Sequence, residues 1–187
     1  MDKEHYFDFL EKMLPSFSYG ELDKEILEQF NFEEDGKYVT SDKIEELAQG
    51  DIFDNIPLFV LGDINELPGI KPVKAILLSN SCDASRRDYL NFAPFIPIEL
   101  MGKINNGNAI RKNQKNSLLY LPYVDLHDYV VDLNHMFSIK REIFEKLYVD
   151  NKIYKKYSLK NAGYYLLLSK LIILHCRMES KDIKRVD

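Results

Sequence analysis

Ser79–Arg87 reads SNSCDASRR, which places hydroxyls, a carboxamide, a thiol, a carboxylate and two guanidinium groups within nine residues. Two chemistries fit such a set. In the first, Ser79, Asn80, Ser81 and an arginine (Arg86 or Arg87) hold a phosphate through charge-assisted hydrogen bonds. Lys71 and the two arginines would then supply the cations that phosphoryl transfer on RNA requires. In the second, Cys82 acts as a nucleophile beside Asp83 and Arg86, the three residues that form the catalytic candidate set. A thiolate needs a base or a positive field. Asp83 opposes that ionisation, the arginines favour it, and His127, His135 and His175 can approach only through the fold. The plainer readings are a small buried cysteine and a turn shaped by Ser81 or Asp83 accepting from nearby backbone N–H groups.

Strands must position this cluster. Val73–Leu78 and Phe92–Ile98 are apolar runs on either side of it, and strands flanking a polar loop fix the geometry while the loop supplies the groups. Ile52–Leu61, Ser117–Pro122 and Tyr129–Leu133 have the same texture, with Gly, Pro and Asn clusters between them. That pattern predicts a small barrel or a strongly bent sheet. Helices are expected at both ends. Tyr6, Phe7, Leu10, Met13 and Leu14 recur at helical spacing, as do Leu22, Ile26, Leu27 and Phe30. Ser41 or Asp42 caps a short helix through Leu47, with Glu45 placed as in a capping box and Gly50 ending it. A further helix opens at Ser138 or Ile139 and runs to about Tyr148. The last, Ser158–Met178, is apolar nearly all round, so it is expected to be buried on several sides, across the barrel or in a dimer seam. His175 and Arg177 at its end either cap the helix or reach Asp83.

Charge divides the 187-residue chain. Residues 1–66 carry 18 acids and 5 bases, whereas residues 67–187 carry 12 acids and 20 bases. The net charge of −5 hides this split, and charge asymmetry between halves marks a partner surface. Met101–Asn116 carries Lys103, Arg111, Lys112 and Lys115 without an acid. Its Gly and Asn content reads as a mobile loop, either a solvated linker or an electrostatic arm for phosphates. Three regions result: an acidic helical segment over 1–49, a barrel over 50–157 and a helical tail over 158–187. No metal or cofactor pattern is present; C-x-x-C, H-E-x-x-H, G-x-G-x-x-G and the Walker A sequence are all missing. No secretory signal or bilayer-length apolar run is found, which predicts a cytoplasmic protein without a membrane partner.

The order GDIF (Gly50–Phe53), GIKPVKAILLSNS (Gly69–Ser81), NFAPFIPI (Asn91–Ile98) and YVVDLNHMFSIKREIF (Tyr129–Phe144) resembles the MazF/PemK-like growth-inhibitor family. The resemblance covers roughly Gly50–Leu147. It implies an α+β chain built on a small SH3-like β-barrel, with helical additions at both ends, and a toxin or phage-defence role. Toxic members of that family cut single-stranded RNA. The chain departs from the pattern at Lys71-Pro72, where the family has Arg-Pro, and at Ile96-Pro97, where active toxins place Thr or Ser. Three functions compete: a barrel binding RNA or another phosphate-bearing ligand, a non-catalytic module that meets a protein partner or a second copy through the carboxy-terminal helix, and a cysteine-dependent enzyme.

Overall fold

The computed structural model describes residues 36–42, 44–60, 68–101 and 107–175. They form an α+β fold around eight strands: β1 (Val39–Thr40), β2 (Ile52–Val60), β3 (Gly69–Leu77), β4 (Tyr89–Pro97), β5 (Leu118–Leu119), β6 (Tyr129–Asp132), β7 (Phe137–Lys140) and β8 (Tyr154–Leu159). The strand path is β1-β8-β2-β3-β4-β6-β5, with β7 also paired to β4. Every pairing is antiparallel. Four helices accompany the sheet: α1 (Ser81–Ala84), α2 (Gly107–Arg111), α3 (Arg141–Val149) and α4 (Asn161–His175).

The sheet is not closed, since β1 and β5 end its path without pairing to each other. Burial gives the physical reason. Ile52, Ile76, Ala93 and Phe95 enter one core with Tyr38, Leu119, Val131 and the α4 residues Leu166 and Leu167. Their strand neighbours Phe53, Ala75, Leu77 and Phe92 enter a second core with Leu90, Ile139 and Phe144 of α3. Successive strand residues face opposite ways, so these two cores lie on opposite faces of the sheet, each covered by a helix. Continuous apolar runs are what a sheet buried on both faces demands.

A bulge shapes the middle of β2. Phe53 pairs with Ala75 and Ile56 with Val73, so three steps along β2 meet two along β3. Asn55 absorbs the extra residue at φ 64°, a left-handed conformation that Asn tolerates. Beyond the bulge, Pro57–Val60 and Gly69–Pro72 continue as a two-stranded ribbon, with Phe59 and Ile70 paired and exposed.

Several boundaries differ from those expected. No helix runs from Ser41 or Asp42 to Leu47 among the described residues, because the groups that would build it bond elsewhere. Ile44 and Glu46 give their carbonyls to the Lys155 ammonium at 2.7 Å each, and Ala48 N–H donates to the Asp51 carboxylate at 2.8 Å. Phe137–Lys140 is strand rather than helix, since Ile139 pairs with Leu90 in the second core. Ser158 and Leu159 close strand β8, and α4 begins at Asn161, leaving a described helix of 15 residues. The basic 101–116 region is not simply mobile: it contains α2, whose Ile110 is fully buried against Leu118, Tyr120 and Val130. The helices expected before residue 31 lie outside the described residues. No described helix is long and apolar enough to cross a membrane.

Candidate functional site

The polar cluster sits where β3 hands over to β4. Asn80 shapes the turn: its side-chain oxygen accepts from Cys82 N–H at 3.0 Å, and its carbonyl accepts from Asp83 and Ala84 N–H. Ala84 anchors the loop in the second core. Ser79, itself buried, accepts from Asn91 N–H at 2.9 Å, while Leu78 N–H donates to the Asn91 carbonyl at 2.8 Å. The serine hydroxyl thus replaces one backbone acceptor and extends the β3–β4 pairing past the end of the strand.

A second segment braces this loop from outside. Gln49 N–H donates to Ser81 Oγ at 3.0 Å, and the Gln49 amide donates to the Leu78 carbonyl at 2.7 Å. Gln49 is held in turn by the buried Asp51–Lys155 pair, at 2.7 Å, through the neighbouring 44–48 backbone. From the other side Arg141 donates to the Ser85 carbonyl, and its N–H donates to that of Asp88.

The result is an open cleft of about 540 Å³ lined by Leu78, Ser79, Asn80, Asp83, Arg87, Asp88, Tyr89 and Asn91. Asp83 pairs with Arg87 at 3.3 Å across one helical turn, both exposed. The exposed ends of this pair give it little weight in stability and leave the arginine's terminal nitrogens toward solvent. Asn80 uses its side-chain oxygen within the turn, and Asn91 accepts from the Ser138 hydroxyl at 2.7 Å. Their carboxamide NH2 groups are left as donors. Tyr89 is 55% exposed at the start of β4.

The structure brings Ser79, Asn80, Ser81, Cys82, Asp83, Arg86 and Arg87 into this one turn. Lys71 lies on the ribbon, six residues before the end of β3 and so about 20 Å away along the strand. Arg111 is committed to the His127 carbonyl at 2.7 Å and lies over the Tyr120 ring. Lys112 is exposed and Lys115 half-buried on the α2 side of the molecule. Lys103 and Arg177 lie outside the described residues.

Cys82 is exposed, not the buried side chain its position suggested. On α4 the Tyr164 phenol is pushed up first by burial, then by Tyr165 and Cys82. His175 lies eleven residues further on, about 16 Å along the helix, and the Asp83 carboxylate has Arg87 as its partner instead.

Sequence reasoning missed Asp88, Tyr89 and Asn91, which line the cleft just past the motif. The signal available was their position at the mouth of a strand, with alternate residues on one face. It also missed a charged chain at the β2 bulge. Asp54 pairs with Lys74 at 3.6 Å and Lys156 at 3.7 Å, and Lys156 pairs with Asp125 at 2.8 Å. Tyr157 donates to Asp125 at 2.7 Å. The hydrogen bond from Lys156 holds the Asp125 carboxyl low and, from the other partner, raises Lys156. Burial, with the bond to Asp125, pushes the Tyr157 phenol up to about 12. The charges of this chain pair off, so it ties β2, β3 and β8 to the 123–125 segment. Only the strand register brings these residues together.

No protein-family profile matches the chain, and no curated protein matches it by sequence.

Proposed function

We propose that this chain binds a phosphate-bearing ligand, single-stranded RNA in particular, in the Ser79–Asn91 cleft. The scaffold is read as an opened relative of the SH3-like barrels of MazF/PemK-like growth inhibitors. The observation that carries the reading is the imbalance of hydrogen-bonding groups in the cleft. The side-chain oxygens of Asn80 and Asn91 are already used within the protein. What is left to a ligand is two carboxamide NH2 groups, the outer nitrogens of Arg87, the exposed Tyr89 ring beside them and the Asp88 carboxylate. Single-stranded RNA is recognised by that combination: an aromatic face for a base, amide donors for base edges and cations for phosphate. The basic balance of residues 67–187 favours the same class of ligand.

Asp88 adds a chemical option. Asp83 is neutralised by Arg87, which leaves Asp88 as the carboxylate of the cleft able to take a proton from a 2′-hydroxyl. Incubating the full chain with a labelled single-stranded RNA at low salt tests both parts. The reading expects retention of the single strand in preference to a duplex, weakening as salt rises. Shortened products that disappear with Asp88→Asn would add cleavage to binding. Failure to retain RNA at low salt, where phosphate attraction is strongest, would overturn the reading.

A further inference from the structure

Two lysines are buried among the described residues, and their surroundings differ in kind. Lys155 is 4% exposed and meets three acceptors: the Asp51 carboxylate and the carbonyls of Ile44 and Glu46. An ammonium has three N–H donors, so Lys155 is matched donor for donor and has a counter-charge. Lys170, on α4, is also 4% exposed but meets two acceptors, the carbonyls of Asn113 and Lys115, each at 2.7 Å. Two acceptors match the two N–H groups of a neutral amine. A third proton would bring an unpaired donor and an uncompensated charge into the interior.

Among the described residues, the charged groups around Lys170 do not supply the missing counter-charge. Of the strands packed on α4, β5 carries only Leu118 and Leu119, and β8 carries Lys155 and Lys156, which are engaged by Asp51 and by Asp54 and Asp125. Asp132, opposite Leu118, is engaged by His135 at 2.6 Å. The turn that Lys170 grips carries Arg111, Lys112 and Lys115, all cations, and α4 itself adds Tyr164, Tyr165 and His175. Among the described residues no carboxylate pairs with the Lys170 amine.

We propose that Lys170 is a pH-sensitive latch: as a neutral amine it clasps the Asn113–Lys115 turn to α4, and on protonation it loosens that turn and its cationic side chains. Burial alone lowers the Lys170 pKa to about 7. An opened turn returns the amine to water and to its ordinary value near 10.4. The closed state is therefore most favoured at high pH, loses ground as pH falls from about 10 toward 7, and changes little below that. The local anchors that resist opening are Ile110 in its small core and the Asn113 side chain, which bonds Tyr120 N–H and carbonyl at 2.8 and 2.9 Å.

Hydrogen exchange of the full chain, corrected for intrinsic rates, tests the latch. The amides to follow are Gln114 and Leu118, which bond Ala109 and Lys115 carbonyls, with Ile76 in the sheet as reference. Protection of the turn should fall by about tenfold or more between pH 9 and pH 6 while Ile76 stays unchanged. Lys170→Met removes the titrating amine and strands the Asn113 and Lys115 carbonyls, so the turn's protection should be pH-independent and below that of the wild type at pH 9, and Lys170→Arg should keep the turn open at both values. Equal protection of the wild-type turn at both pH values would overturn the proposal, as would the same fall in Lys170→Met. Should the variants not fold, NMR titration of the Lys170 amine in the wild-type chain decides the matter: a midpoint within about one unit of 7 supports the latch, and any midpoint above that overturns it.

Discussion

Replacing Lys155 with Met isolates the device that holds the cleft in place. The Asp51 carboxylate is 1% exposed and accepts from Lys155, the Ser158 hydroxyl and Ala48 N–H at 2.7, 2.7 and 2.8 Å. Lys155→Met removes the counter-charge and the shortest charged bond, and strands the carbonyls of Ile44 and Glu46. Breaking one side of a buried pair costs about 3–5 kcal/mol, because the remaining charge is left uncompensated. Two stranded carbonyls act in the same direction unless water reaches them. Set against a typical domain stability of about 5–15 kcal/mol, the loss should lower the melting temperature by roughly 10 °C. Urea unfolding followed by circular dichroism and tyrosine fluorescence is suitable, since the chain has 12 tyrosines and no tryptophan. Asp51→Asn combined with Lys155→Met should cost less than the sum of the single changes, by about 2 kcal/mol. A loss below about 1 kcal/mol for Lys155→Met would refute the reasoning. So would strict additivity in the cycle.

Gly163→Ala should destabilise the chain by about 1–3 kcal/mol despite the better helix propensity of alanine, because a Cβ there would press on the Tyr38 carbonyl that receives Lys160 N–H; thermal melts check this. Tyr157 should resist ionisation in an ultraviolet pH titration until about pH 12. Its pKa is raised on folding, so its contribution to stability is complete below pH 10 and is lost as pH climbs from 10 to 12, which urea midpoints across that range will show.

The strands were the most legible part of the sequence. Ile52–Leu61, Val73–Leu78 and Phe92–Ile98 correspond to β2, β3 and β4 within a few residues, because their β-branched and aromatic content is needed wherever the sheet lies. Closure was not legible. A run apolar at every residue suits a sheet buried on both faces, and only the division of Ile52 and Phe53 between two cores reveals that arrangement. The expected capping box at Asp42 failed because tertiary partners claimed the local backbone, with Lys155 more than a hundred residues away taking two carbonyls. Strand β8, in Tyr-Lys-Lys-Tyr-Ser-Leu, was not expected: two adjacent lysines break the apolar texture of a strand, yet Lys155 is buried. For the site, the motif located the loop, and its neighbours Tyr89 and Asn91 became visible only when β4 placed them in the same cleft.

The most direct test of RNA binding in the Ser79–Asn91 cleft is fluorescence anisotropy of a labelled single-stranded RNA titrated with wild-type protein, Arg87→Ala, Tyr89→Ala and Lys71→Ala at low salt. Loss of stacking or of a charged contact is worth about 1–3 kcal/mol, or roughly tenfold or more in affinity. Arg87→Ala and Tyr89→Ala should each weaken binding by about that factor, whereas Lys71→Ala, on the distant ribbon, should change it less than about threefold. Equal affinities for the wild type and the two cleft variants, or a larger loss from Lys71→Ala, would contradict the account.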